Sequence, residues 1–201
     1  MIYRSPVPAD AIDNRVLPVS LEDLKDQLRI EHSDQDRLLL TKIQAATAEV
    51  EQVLNAPIIA REFVLKFSGW PTVANDETDK IIIPNPPLIS VASIKYQDAD
   101  DAEQTLDPAE YRVSNSPPLP YIALSSTPTA YEAGDAISVT YTSGWATQPS
   151  GVPFQIREAI ILRAATRMEM AVESGLGTVP WNLSKDLSVM NILAPFFRPT
   201  V

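Results

Sequence analysis

The 201-residue chain contains no cysteine and a single histidine, His32. Without thiols there is no disulfide framework, no cysteine-type zinc site, no thiol nucleophile and no iron-sulfur ligation. One imidazole cannot furnish a two-histidine metal site, and a Ser-His-Asp arrangement exists only if His32 itself serves it. Glycine is scarce too, six residues against 18 prolines. The phosphate-cradling patterns GxxxxGK[ST] and GxGxxG are missing, and Gly175-Leu176-Gly177 is too short to replace them. No stretch approaches the ~18 uninterrupted apolar residues of a membrane helix, and Met1 to Asp10 has neither a basic region nor an apolar run. A soluble protein without an export signal is the expectation.

Basic residues are outnumbered, 16 against 26 acids, for a net charge of −10. That balance opposes tight binding to a phosphate backbone, which depends on neutralising cations. The excess is concentrated: residues 76 to 110 hold Asp76, Glu77, Asp79, Asp98, Asp100, Asp101, Glu103, Asp107 and Glu110 against Lys80 and Lys95. These acids read either as solvated loops or as a functional acidic surface.

What is present is helix, then strand, then helix. After an arm over residues 1 to 16, Ser20 and Asp23 have capping-box spacing, and Leu21, Leu24 and Leu28 recur at helical intervals, which predicts a helix over 21 to 30. Ser33 or Asp34 can cap a second helix, along which Leu39, Ile43, Ala46, Val50 and Val53 form one apolar face up to Pro57. Six runs rich in β-branched and aromatic residues follow: Phe63 to Phe67, Lys80 to Ile83, Val91 to Tyr96, Tyr111 to Val113, Tyr121 to Leu124 and Ala136 to Tyr141. They predict a small antiparallel sheet or sandwich. Helical spacing returns after Pro153 with Ile156, Ile160, Ile161, Ala164, Ala165, Met168 and Val172, and Ser184 to Leu193 reads as a short helix.

The fold class expected is therefore α+β: a small helical core, made of the N-terminal helix pair and the long C-terminal helix, with an inserted antiparallel β domain. The boundaries are an arm over 1–16, the helical core over 17–57 and 152–173, the β-rich insertion over 58–151 and a C-terminal tail over 174–201.

No residue pattern selects a catalytic, cofactor or metal site. His32-Ser33-Asp34-Gln35-Asp36 reads as an interhelix turn, because a lone imidazole beside local carboxylates lacks a second converging ligand group. Asp98-Ala99-Asp100-Asp101-Ala102-Glu103 lacks the glycine and the distal glutamate of a calcium loop and reads as a hairpin turn before Gln104 to Leu106. No spacing singles out a carboxylate pair for glycoside hydrolysis. The tail concentrates apolar and aromatic residues, among them Trp181, Leu187, Leu193, Phe196 and Phe197, which either fold onto their own core or dock into a neighbour.

An ordered series of segments resembles the head-tail connector, or adaptor, proteins of long-tailed phages and gene-transfer-agent particles. It comprises Pro18-Val19-Ser20-Leu21-Glu22-Asp23-Leu24-Lys25, Leu28-Arg29-Ile30, Ile83-Pro84-Asn85-Pro86-Pro87-Leu88-Ile89-Ser90-Val91 and Tyr96-Gln97-Asp98-Ala99-Asp100. It continues with Leu106-Asp107-Pro108-Ala109-Glu110-Tyr111-Arg112-Val113, Val139-Thr140-Tyr141-Thr142-Ser143-Gly144-Trp145, Val152-Pro153, Ile156-Arg157-Glu158-Ala159-Ile160 and Leu193-Ala194-Pro195-Phe196-Phe197-Arg198. The chain departs from the family at Asp101, where a turn glycine is common, and in an acidic loop over Val73 to Asp79.

The resemblance implies a non-enzymatic structural protein of the virion or gene-transfer particle, made in the bacterial cytoplasm and placed at the head-tail interface. It implies a homo-oligomeric ring, commonly of twelve copies, under the portal protein, with a tail-side stopper or terminator protein on its other face. DNA passes through the channel without specific binding, and neither a membrane nor a cofactor is involved. Carried onto this chain, the portal contact falls on Trp181, Leu187, Leu193, Phe196, Phe197 and Arg198. Arg157, Arg163 and Arg167 become candidates for ion pairs between subunits, since planar guanidinium suits interface carboxylates. Alternatives are a tail terminator or stopper, a small carboxylate-dependent hydrolase and a monomeric binding module.

Overall fold

In the computed structural model, which describes residues 7–8, 16–71, 80–116, 119–131, 134–173 and 187–197, helix α1 spans Leu21–Leu28. Its start is the expected capping box: the Ser20 hydroxyl accepts from the Asp23 N–H at 3.0 Å, and the Asp23 carboxylate accepts from the Ser20 N–H at 3.2 Å. It stops two residues earlier than its apolar spacing predicts. Arg29 turns to φ 56, its N–H bonds to Asp26, and Ile30 N–H reaches back to Lys25 O at 3.0 Å, which closes the helix end.

Helix α2 spans Asp36–Leu54 and buries Leu39, Ile43, Ala46, Val50 and Leu54. The expected Ser33 or Asp34 side-chain cap is not made. Gln35 is the N-cap, without a side-chain hydrogen bond, and a backbone turn from Asp36 N–H to Ser33 O (3.1 Å) sets the entry. Asn55, at φ 48, ends the helix ahead of Pro57.

Helix α3 spans Phe154–Glu173, and the Pro153 carbonyl receives the N–H groups of Ile156 and Arg157 at 3.0 and 3.2 Å. Helix α4 spans Leu187–Leu193 and runs into a 3-10 turn, Ala194–Phe196; the rest of the expected last helix, 184–186, lies outside the described residues. Among the described residues no helix is long and apolar enough to cross a membrane.

These helices belong to one compact unit, the described parts of Asn14–Ile59 and Trp145–Phe197. Its core joins Leu24, Leu39, Ile43, Val50, Leu54, Ile156, Ile160, Ala164, Val189 and Leu193. Removing each large aliphatic side chain of this kind from water contributes roughly 1.5–3 kcal/mol.

The second unit holds the strands, from Ala60–Gly144 with the described part of Met1–Asp13. Its strands are β1 Val7–Pro8, β2 Arg61–Phe67, β3 Lys80–Ile82, β4 Leu88–Gln97, β5 Glu103–Thr105, β6 Tyr111–Ser114, β7 Tyr121–Leu124 and β8 Ile137–Ser143. All the strand pairs are antiparallel, in a five-stranded sheet ordered β1-β2-β8-β4-β5 and a three-stranded sheet ordered β3-β7-β6. Strict alternation along β8 turns Ile137, Val139, Tyr141 and Ser143 inward. Both sheets feed one apolar cluster, in which Ile81 and Ile122 meet Phe63, Leu65, Ile94 and Tyr141. Two strands lie outside the six runs named from the sequence, although the Asp98 hairpin already pointed to one at Gln104 to Leu106. β1 lies in the aperiodic arm, where pairing with β2 alone makes it a strand, and Pro8 is tolerated because β1 is an edge. β5 closes the hairpin after Asp98, too short to carry a pattern of its own.

Candidate functional site

The described part of the C-terminal tail packs onto the helical unit of its own chain. Leu193 and Val189 are buried there. The Phe196 ring meets Trp145 edge-on, with centroids 5.2 Å apart at 83°, a favourable arrangement for aromatic quadrupoles. Phe197 lies outside this packing and is 41% exposed. Trp181, Arg198 and the side chain of Leu187 lie outside the described residues. Of the six portal candidates, Leu193 and Phe196 thus hold the segment in place, and Phe197 presents an apolar surface.

Trp145 is set by its neighbours. The Ser143 hydroxyl is shared between the carbonyls of Asn85 and Pro87, the latter at 2.9 Å, and Gly144, at φ 152, gives its N–H to Pro87 O at 3.0 Å. Trp145 N–H then bonds Ile58 O at 3.1 Å. Glycine is required at 144 because a Cβ disfavours that backbone conformation.

The three arginines separate into two kinds. Arg163, only 3% exposed, points Nε at Glu49 Oε2 (2.5 Å), and Arg167 Nη2 pairs with Glu49 Oε1. Two of the three guanidinium groups expected to reach a neighbouring subunit are therefore engaged within their own chain. Arg157 makes no hydrogen bond or ion pair among the described residues, and its Nε is buried without an acceptor. Glu49 was not foreseen as their partner. It sits off the apolar face of α2 like any solvated acid, and no local signal marks it.

The acidic turn is self-contained. Asp98 Oδ1 accepts from the N–H groups of Asp100 and Ala102, each at 3.0 Å, and Oδ2 from Gln104 Nε2 at 2.8 Å. The Gln104 side chain first, then the Ala102 N–H, hold the Asp98 carboxyl below its ordinary pKa. Asp101 takes φ 61, the left-handed geometry that makes glycine common at this place. With its lone pairs turned to its own hairpin, Asp98 is a structural acid. No group of three or more metal-ligating side chains occurs among the described residues. Among the described residues, His32 approaches the Asp34 carboxylate at 4.0 Å. An open pocket of about 280 Å³ on the strand unit is lined by Lys66, Lys95, Glu103 and Asp135. Its charges already pair as Lys66–Asp135 (3.5 Å) and Lys95–Glu103 (2.7 Å).

Residues 18–116 match the family model of phage gp6-like head-tail connector proteins. Over these residues, just under half of the chain, it is similar to the head-tail connector family. The connector match covers α1, α2 and β2 to β6, and stops short of the tail and of α3. Similarity in fold extends over the whole chain. The neck of an empty gene transfer agent (GTA) particle, computed with C6 symmetry, contains a chain 21% identical, with a TM-score of 0.76 and coverage of 98% of this chain and 97% of that one. The neck of a native GTA particle, computed with C12 symmetry, gives 22% identity, a TM-score of 0.73 and the same coverages of 98% and 97%. The virion of a native GTA particle gives 21%, 0.75, 98% and 97%. No curated protein sequence matches the chain.

Proposed function

We propose that the protein is a structural adaptor at the head-tail interface of a tailed-phage-like or gene-transfer particle, forming a ring beneath the portal that connects the DNA-filled capsid to the tail. The observation that carries this reading is the connector match over residues 18–116, set in a fold that covers 98% of the chain when compared with GTA neck proteins. In this reading its role is assembly and not catalysis, and Asp98 of the acidic turn and the Lys66–Asp135 and Lys95–Glu103 pairs of the pocket are engaged in local hydrogen bonds and ion pairs.

In this proposal residues 17–57 and 152–173 pack ring neighbours, the insertion over 58–151 faces outward or tailward, and 174–201 reaches the portal. Trp181, Leu187, Phe197 and Arg198 make that contact, on a segment anchored by Leu193 and Phe196. Twelve copies is the expected number, in keeping with the C12 symmetry of one similar neck structure. A net charge of −10 per copy suits a conduit, because a lining that does not neutralise phosphates lets DNA slide.

Native mass spectrometry of the chain, alone and mixed with its cognate portal protein, tests the reading. A mass step of many copies onto the portal oligomer is expected, and removal of residues 180–201 should abolish that step while leaving the circular dichroism of the rest intact. Binding to the tail-tube protein and not to the portal would replace the adaptor reading with that of a terminator or stopper.

A further inference from the structure

Phe154, the first residue of α3, is 67% exposed, more than any other large apolar side chain described. Three residues on, Arg157 lacks an acceptor for its buried Nε. Positions three apart share a helix face, so the first turn of α3 sets a bare aromatic ring beside a guanidinium with no carboxylate of its own. Aromatic and arginine side chains together are the usual anchors of a protein interface. The entry to α2 carries the opposite charge. The Asp34 side chain is 90% exposed, with only a 4.0 Å approach to His32 Nδ1, and four residues later Leu38 is an exposed apolar side chain.

We infer that Phe154 and Arg157 of one copy dock on Leu38 and Asp34 of a second copy. The inference rests on the ring reading and names its contact. A closed ring is head-to-tail, so each copy must carry two unlike patches that complement each other. One patch here is apolar with a cation, the other apolar with an anion. Copies carrying −10 each repel, and a contact between them is favoured where a cation without an internal partner meets an acid that lies open to water. Arg163 and Arg167 cannot fill this role while Glu49 holds them.

The test is a charge-reversal cycle on the full chain, read by native mass spectrometry of ring formation on the portal oligomer. R157E and D34R should each raise the concentration needed for half-assembly by about tenfold or more, and R157E with D34R together should restore it. Circular dichroism should be unchanged in all three. A second arm uses the absence of cysteine: F154C with L38C should give an intermolecular disulfide ladder under mild oxidation. Single reversals that assemble normally, a double reversal no better than the singles, or a cysteine pair without a ladder would each overturn the contact. Rings that still form but lose portal binding in R157E would assign the α3 patch to the portal instead. If the unaltered chain never assembles, the ring reading itself fails.

Discussion

Glu49 of α2 holds two arginines of α3 at once: Arg163 Nε stands 2.5 Å from Oε2, and Arg167 Nη2 takes Oε1. The Arg163 side chain is almost wholly shielded from water, and the Glu49 carboxylate compensates its charge there. Breaking a buried pair costs more than never having made it, because the remaining ion is left without compensation.

Glu49→Gln should therefore lower the stability of the helical unit by about 3 kcal/mol. The measurement is the guanidinium midpoint of unfolding. Adding Arg163→Met to Glu49→Gln should recover part of the loss; a double variant less stable than the single would show that Arg163 is held by something other than its charge.

The tail side chains should separate by role. Leu193→Ala removes a fully buried side chain and should cost about 2–5 kcal/mol in thermal or chemical unfolding. Phe197→Ser changes an exposed ring, so the melting temperature should stay within a degree or so while portal binding weakens. Loss of portal binding in Leu193→Ala without loss of stability would reverse that assignment.

Asp98 makes stability depend on acid. Its folded pKa lies below the ordinary 3.8, so its contribution is present above that value and is lost as the pH falls through the lower folded pKa. Gln104→Ala removes the largest cause and should move the Asp98 carboxyl titration, followed by NMR, back up toward 3.8. An unmoved titration would show that the backbone N–H groups suffice.

At Asp101 the backbone adopts φ 61. Asp101→Val should destabilise by about 1 kcal/mol or more, since β-branched residues resist the left-handed region, while Asp101→Gly should be neutral or slightly stabilising. Thermal unfolding of the two variants decides it.

Ser20→Ala removes half of a reciprocal cap and should cost about 1 kcal/mol. Asp23→Asn, which keeps a weaker acceptor at the same place, should cost less.

Much of this was legible in the sequence because it is short-range. The apolar face of α2, the Ser20–Asp23 cap, the hairpin at Asp98 and the alternation along β8 each involve residues a few positions apart, and periodicity or spacing shows them directly. The lack of cysteine and glycine motifs likewise excluded whole chemistries without any coordinates. The ordered connector segments pointed to the family for the same reason, since each is a local turn, cap or strand.

Tertiary structure alone decided which charges meet and which rings stay bare. Glu49 lies 114 and 118 residues from its two arginines, and only the packing register of α2 on α3 brings them together. β1 exists because β2 offers it an edge. Leu193 and Phe197, four residues apart in one apolar tail, end respectively inside the core and on the surface. Hydropathy could not separate them, because burial depends on which neighbours the folded chain supplies and not on the side chain itself.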